Sequence, residues 1–553
     1  MSDRHFKLWP KHLPRNVTVP NTSLWFNLAT SAKRYPEKPA ILFFDAVIRY
    51  AELKRYTEAL AGYLQRECGV ERGDRVALYM HNSPQFLMGY YAILRADAMV
   101  VPINPMLLGD EVGKIVRDCG ARVAILPQDL FEHVEPLLSR ELSHAIVACY
   151  SDCLTPTSGF DVPDFIAAPR RAISGAGVTM WNAAIERGIQ PAPHLATADD
   201  LCVMPYTSGT TGQPKGCVHR HRSAMHTVVC GVLWHGFHQD DRAIGALPMF
   251  HVTGMQAGIN QIMYIGGSVS MLPRWNRETA AALIQRHQVT RFGAVPTMFV
   301  DLLMSANAAS YDLSSLVGIG GGGAAMPEAV ASTLEQRWGL KFIEGYGLSE
   351  TMAPTHINPD AAPKRQCLGI PIFNTDSRVV DPTTLQELPP GEVGEILTHG
   401  PQVFDGYWNN PEATAAAFAE IDGKRFLRTG DLARTDEEGY FFFVDRIKRM
   451  INAAGFKVWP AEVESMLYAH PAVQEAAVIA TKDSRRGETV KAVIVLKPAA
   501  RGSTSHEQII EWARDKMAAY KVPRVVQFVD SVPKSNTGKI LWRVLQEQED
   551  RAG

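Results

Sequence analysis

Cysteine is scarce in this chain: eight in 553 residues, with no Cys-x-x-Cys pair. That excludes a disulfide scaffold and the common zinc modules. Charge of one sign is also missing. Lys plus Arg total 56 against 58 for Asp plus Glu, a formal net charge of −2. A dedicated nucleic-acid binder carries a basic surplus instead. No apolar run is long and unbroken enough for a membrane span. The most apolar stretch, 255–272, is interrupted by Gln256, Asn260 and Gln261 and reads as buried protein. Residues 1–17 lack the apolar core of a signal peptide. The closing Asp550-Arg551-Ala552-Gly553 carries no prenylation or peroxisomal signal. A soluble, cytoplasmic protein is therefore expected. There are no short-period repeats and no low-complexity tract.

What is present is ordinary globular composition, 46% hydrophobic and 21% charged, over a length that suggests three or four domains or subdomains at ~150 residues each. Short apolar runs alternate with helical patterns. Strands are expected at 75–80, 99–103, 122–126, 291–295 and 341–344. Helices are expected at 83–98, 108–119, 297–306 and 327–338. That rhythm predicts βαβ units in doubly wound, largely parallel sheets. After about residue 375 the texture changes to short strands (377–381, 394–398, 440–444) between Pro/Gly turns, a β-rich subdomain. From about residue 446 an α+β module follows, with helices at 461–468 and 505–517 and strands at 473–480, 490–496 and 525–529. The expected division is 1–445 for a large α/β domain and 446–553 for a small mobile one.

The most informative segment is Tyr206-Thr207-Ser208-Gly209-Thr210-Thr211-Gly212-Gln213-Pro214-Lys215-Gly216. Glycines let backbone N–H groups approach an anion, hydroxyls add hydrogen bonds, and the lysine adds a point charge. This is phosphate-cradling chemistry. It is not a Walker loop, because Lys215 is preceded by Pro and followed by Gly.

That segment resembles the phosphate loop of the adenylate-forming superfamily, which includes acyl-CoA synthetases, nonribosomal adenylation domains and beetle luciferases. Six further segments match in order: Leu247 to Gly254 (LPMFHVTG), Gly321 to Pro327, Glu344 to Thr351 (EGYGLSET), Arg428-Thr429-Gly430-Asp431, Asp445-Arg446-Ile447-Lys448, and Pro533 to Lys539 (PKSNTGK). The resemblance implies ATP, Mg²⁺ and CoA as co-substrates and cofactor. The loop Thr207, Ser208, Gly209, Thr210, Thr211, Gly212 and Lys215 would hold the β- and γ-phosphates. Glu350 with the Thr207 hydroxyl would place Mg²⁺. Gly322, Gly323, Ala324 and Ala325 would pack against adenine and the acyl group; many relatives have Pro where Ala325 stands. Glu344, Gly345, Tyr346, Gly347, Leu348, Ser349 and Thr351 complete the nucleotide motif, with Tyr346 stacked on adenine. Asp431 and Arg446 would bind the ribose. Lys539 would be the catalytic lysine, bridging carboxylate and α-phosphate. Lys448 would be the hinge about which the C-terminal module rotates. Gly455 would then line the pantetheine path, with Arg486, Tyr520 and Arg524 near CoA; Arg485 and Lys521 are further cations there.

His251 matches the residue that meets the acyl carboxylate in acyl-CoA synthetases. Amino-acid-activating relatives carry an Asp there, so an amino-acid substrate is disfavoured. Met255 and Gly258 should line the acyl pocket. Gly258 stands seven residues past His251, so an unbroken helix would set both on one face. No charged residue occurs in 252–267, which predicts an uncharged tail, a medium- or long-chain fatty acid first and an aryl or branched acid second. A standalone protein loading a carrier thiol and a luciferase-like oxygenase are the other readings. Partners should be small molecules, with no nucleic acid and no membrane span, and a homodimer is allowed.

Overall fold

The computed structural model describes residues 4–208, 214–305, 307, 310–453, 456–483, 487–534 and 540–552. The chain divides into two compact units. One comprises 5–376 with 398–427; the other comprises 1–4, 377–397 and 428–553.

The larger unit holds two sheets. In the first, Phe342–Leu348, Gly318–Gly322, Arg291–Gly293, Arg242–Gly245, Ser268–Met271 and Pro39–Phe43 lie side by side and parallel. Antiparallel strands Ala353–Ile357 and Ala46–Arg49 extend its sides. In the second, Leu201–Val203, Met99–Ile103, Arg75–Tyr79, Val123–Pro127, His144–Ala148 and Val178–Met180 are parallel. The expected doubly wound architecture is borne out. Its largest core cluster draws Ile41 and Phe43 from one sheet and Val76 and Leu78 from the other. The helix Pro84–Arg95 (PQFLMGYYAILR) is buried at every position. Apart from Gln85 and Arg95 it is apolar all round, as befits a helix inside a core, and each such Leu or Phe contributes about 1.5–3 kcal/mol on burial. Ser83 starts it, its hydroxyl accepting from the Phe86 N–H at 3.1 Å.

Two expected elements differ. The strand foreseen at 341–344 runs on to Leu348, because Gly345–Leu348 pair with Ala353–Ile357. The segment after His251 is not one straight helix. Val252–Met255 is α-helical, Gln256–Asn260 is a π turn, and Gln261–Ile265 is α-helical again. The wider i→i+5 turn, closed by Gln261 N–H on the Gln256 carbonyl, moves Gly258 off the line expected from His251.

In the smaller unit Asp431–Thr435 pair antiparallel with Phe441–Arg446. Strands Phe456–Val458, Ile451–Ala453, Gly487–Leu496 and Val473–Asp483 form a sheet in that order, with Val525–Phe528 parallel to Gly487–Leu496. Helices Pro460–Tyr468 and His506–Lys516 bury Val463, Leu467, Ile509 and Ala513. This is the expected α+β module. Among the described residues no helix is long and apolar enough to cross a membrane.

Candidate active site

Tyr206–Ser208 and Pro214–Arg220 form an antiparallel hairpin in which Lys215 stands opposite Thr207. The hairpin delivers both ends of the phosphate loop to one edge of the second sheet. Gly209, Thr210, Thr211 and Gly212 lie outside the described residues, as do Gly455, Arg486 and Lys539. On its other side Pro214–Arg220 pairs with Gly406–Tyr407, Cys217 opposite Tyr407. The Tyr407 hydroxyl donates to Glu350 Oε1 at 2.8 Å. The Lys215 Nζ stands 5.1 Å from the centre of the Tyr407 ring. Thr207 is hydrogen-bonded to the buried Cys217 thiol, which burial first, then the Glu350 charge, pushes well above its ordinary range. Thr207, Lys215 and Glu350, expected to act together, are thus gathered into one patch.

Glu350 is held in place by its backbone as well. Its carbonyl accepts from the Phe404 N–H at 2.9 Å. The preceding Ser349 carbonyl accepts from His219 Nε2 at 2.7 Å. Burial lowers the His219 pKa to about 4, so the ring is neutral near pH 7 and donates through one nitrogen. The turn Ser349–Thr351 is closed by Thr351, whose hydroxyl accepts from the Leu348 N–H at 2.9 Å and donates to the Ala353 carbonyl at 2.8 Å. Met352 and Ala353 then take φ of +48° and +74°, a left-handed conformation unusual for side-chain-bearing residues and common at functional turns.

Magnesium asks for hard oxygen ligands, only a few of them from protein. The Glu350 carboxylate, oriented by Tyr407, and the Thr207 hydroxyl are oxygens of that kind. Among the described residues no group of three His, Cys, Asp or Glu could hold a metal by itself.

The glycine motifs meet at the C-terminal ends of parallel strands, the favoured ligand crevice of such sheets. Gly322 stands opposite Gly345. A Cβ on Gly322 would lie 2.2 Å from the Gly345 carbonyl oxygen, so the neighbouring strand forbids a side chain there. Gly323, Ala324 and Ala325 are exposed next to it. Tyr346 is half-buried, its ring 5.7 Å from that of His356. Glu344 is different: it is 6% exposed. Its Oε1 accepts from Met326 N–H at 2.8 Å and its Oε2 from Cys367 N–H at 3.3 Å. Desolvation raises its pKa against those hydrogen bonds.

His251 caps the helix Val252–Met255, Nδ1 accepting from Thr253 N–H at 3.4 Å. Met255 is fully buried among Ile259, Ile262 and Met263. A Cβ on Gly258 would meet only Met249 Cε at 3.6 Å and Gly245 Cα at 4.0 Å. In the smaller unit Arg446 Nε pairs with Asp431 Oδ1 at 2.8 Å, Asp431 being buried and Arg446 half-exposed. Lys448 lies in the short turn Ile447–Arg449. Tyr520 is half-buried and Arg524 exposed.

Tyr407, Cys217 and His219 escaped the reading of the sequence. The signal for Tyr407 was an aromatic after a lone glycine, in a strand of two residues. Only pairing with Pro214–Arg220 reveals its place.

The family of AMP-binding enzymes matches residues 28–408, and the AMP-binding enzyme C-terminal domain matches residues 462–539. The chain belongs to the AMP-binding enzyme family. The adenylate-forming resemblance drawn from the seven motifs is borne out. The chain is 35% identical over 561 residues to a long-chain-fatty-acid–CoA ligase of Bacillus subtilis, covering 98% of this chain and 97% of the relative. It is 34% identical over 513 residues to a feruloyl-CoA synthase of an Amycolatopsis species, covering 92% and 96%. Among solved structures of the family, ATP-bound MatB of Rhodopseudomonas palustris superimposes with a TM-score of 0.83 at 28% identity, covering 96% of this chain and 99% of that one. An anthranilate CoA ligase in complex with anthranoyl-AMP gives 0.83 at 27% identity, covering 98% of each.

Proposed function

We propose that this chain is an ATP-dependent, AMP-forming acyl-CoA synthetase acting on an apolar carboxylic acid, a medium- or long-chain fatty acid first. The observation that carries the reading is the patch of Thr207, Lys215, Tyr407 and Glu350 at the base of the phosphate loop. In the first half-reaction a carboxylate oxygen attacks the α-phosphorus, and the bond to the β-phosphate breaks, releasing pyrophosphate. Negative charge crowds the transition state, so preorganised donors and cations lower the barrier. Lys215 and the loop hydroxyls bind the departing phosphates. Glu350, oriented by Tyr407, and Thr207 would hold magnesium, which when bound offsets phosphate charge. Tyr346 with Gly322 to Ala325 takes the adenine, Asp431 and Arg446 the ribose, and His251 meets the acid's carboxylate.

In the second half-reaction the CoA sulfur attacks the acyl carbon and AMP leaves. Lys539 serves the first step and Gly455 the second, exchanged by rotation of residues 446–553 about Lys448; Arg486, Tyr520 and Arg524 face CoA. The uncharged stretch 252–267 and the names of the fatty-acid–CoA ligase relatives support a fatty tail. The feruloyl-CoA synthase and anthranilate ligase likenesses favour an aryl acid as the second reading. A cytoplasmic location, with a homodimer allowed, completes the proposal.

The test is a pyrophosphate-release screen over fatty, aryl and amino acids, with and without CoA, with thioesters read by mass spectrometry. Release with fatty acids and acyl-CoA formation support the reading. Release with aryl acids alone selects the second one, and no release with any carboxylic acid refutes both.

A further inference from the structure

Asn82 occupies the turn between the strand Arg75–Tyr79 and the helix Pro84–Arg95 and is 3% exposed. Its amide spans the two sheets of the larger unit. Nδ2 donates to the carbonyls of Gly245 at 3.1 Å, Leu247 at 2.9 Å and Leu272 at 3.2 Å. Oδ1 accepts from the Met249 N–H at 2.8 Å. Gly245 ends the strand Arg242–Gly245, and Leu272 follows the strand Ser268–Met271. One side chain therefore ties the C-terminal ends of two parallel strands, and the turn 247–249, to the end of a strand in the other sheet.

The chemistry at this point admits few side chains. The Leu247 and Leu272 carbonyls take their donor from Asn82 and the Met249 N–H its acceptor, while the Gly245 carbonyl also accepts from the Leu272 N–H at 3.2 Å. A carboxylate would face three carbonyl oxygens. An aliphatic group would leave buried polar groups unpaired. The turn so held leads directly into His251. The His251 N–H donates to the Pro248 carbonyl at 3.1 Å. Gly254 sits so close that a Cβ there would lie 2.1 Å from the same carbonyl oxygen. Asn82 and Gly254 both bear on the carbonyls of 247–248, and together they fix the route of the chain into His251.

We propose that Asn82 is a positioning residue: through Met249 and Leu247 it sets the place of His251 relative to the acyl carboxylate. This rests on the acyl-CoA synthetase reading and on the role given there to His251. Because Asn82 acts through the turn that leads into His251, its loss is expected to act on the acid rather than on ATP.

The experiment is a double-mutant cycle of Asn82→Ala and His251→Ala, with kcat and KM measured for acid and for ATP by pyrophosphate release, beside melting temperatures. Asn82→Ala is expected to lower kcat/KM for the acid by on the order of 10- to 100-fold, with the KM for ATP within about twofold of wild type. In the His251→Ala background the same substitution is expected to change the acid's kcat/KM by less than about threefold, since its effect runs through His251. Losses that multiply in the double mutant, or a KM for ATP that rises with that for the acid, overturn the proposal. Should Asn82→Ala not fold, Asn82→Ser repeats the cycle. If neither folds, Asn82 serves stability alone and the proposal falls. A wild-type enzyme that releases no pyrophosphate with any carboxylic acid would instead refute the functional reading.

Discussion

Glu344 and Glu350 belong to one eight-residue motif, yet the fold uses them in opposite ways. Glu344 is buried, and both its oxygens accept backbone N–H groups, from Met326 and Cys367. It joins the strand Phe342–Leu348 to two loops. Glu350 is half-buried in the turn after that strand, with Oε1 fixed by Tyr407. A carboxylate saturated by backbone donors is architecture. One oriented by a single hydroxyl is the one proposed to hold a cation. The motif thus holds two glutamates, six residues apart, in different surroundings.

The contrast breaks most sharply at Glu350→Gln. That change keeps the shape and removes the charge, so acyl-adenylate formation should fall by ~10²–10³, with the melting temperature unchanged. Single-turnover kinetics over a magnesium series measure it. A mutant of near wild-type rate would return Glu350 to the surface.

The next effect concerns His219, whose Nε2 supports the Ser349 carbonyl just before Glu350. Burial holds its folded pKa at about 4, below the 6.5 of an exposed ring. In that interval the unfolded chain binds the extra proton, so stability is complete above about pH 6.5 and is lost as pH falls toward 4. The loss from this group is roughly 3 kcal/mol. His219→Gln retains an N–H donor and removes the titration, so its melting temperature should fall less than that of the wild type between pH 6.5 and 4. Parallel curves would contradict the assignment.

Glu344→Gln inverts the Glu350 result. The substitution sets an NH2 group against a backbone N–H, which should cost about 1–3 kcal/mol of stability. Activity per folded molecule should stay close to wild type, as denaturant titration beside initial rates would reveal. An intact fold with adenylation abolished would give Glu344 a chemical role and erase the comparison. Tyr407→Phe is the mildest case. Losing one hydroxyl at Glu350 should cost about 1 kcal/mol, or roughly fivefold, read as weaker magnesium dependence of the rate. An unchanged magnesium profile would free Glu350 from Tyr407.

Much of this was legible in the sequence. Strands such as Met99–Ile103 and helices such as Gly109–Cys119 announce themselves through apolar period, and the glycine- and hydroxyl-rich loop announces phosphate. What stayed hidden depends on pairing over long separations. Nothing local says that Tyr407 lies opposite Cys217, or that Asn82 reaches carbonyls more than 160 positions away. Nor does the motif EGYGLSET reveal which glutamate its own backbone consumes, because the donors come from Met326 and Cys367. The π turn at Gln256–Asn260 was missed for a related reason. Its buried amides are paid for by tertiary partners: Gln256 Nε2 donates to Thr227 Oγ1 at 2.6 Å, and Asn260 Nδ2 to the Tyr90 hydroxyl at 3.0 Å.

The central claim is that this patch makes an acyl-adenylate from a fatty acid and ATP before CoA takes part. It is tested most directly by incubating the protein with ATP, magnesium and a long-chain fatty acid without CoA, then identifying the bound product by mass spectrometry. The account predicts one acyl-AMP per active protein, discharged to acyl-CoA when CoA is added, and almost none from Glu350→Gln. Acyl-CoA that forms with no acyl-AMP before it, or equal acyl-AMP from wild type and Glu350→Gln, would contradict it.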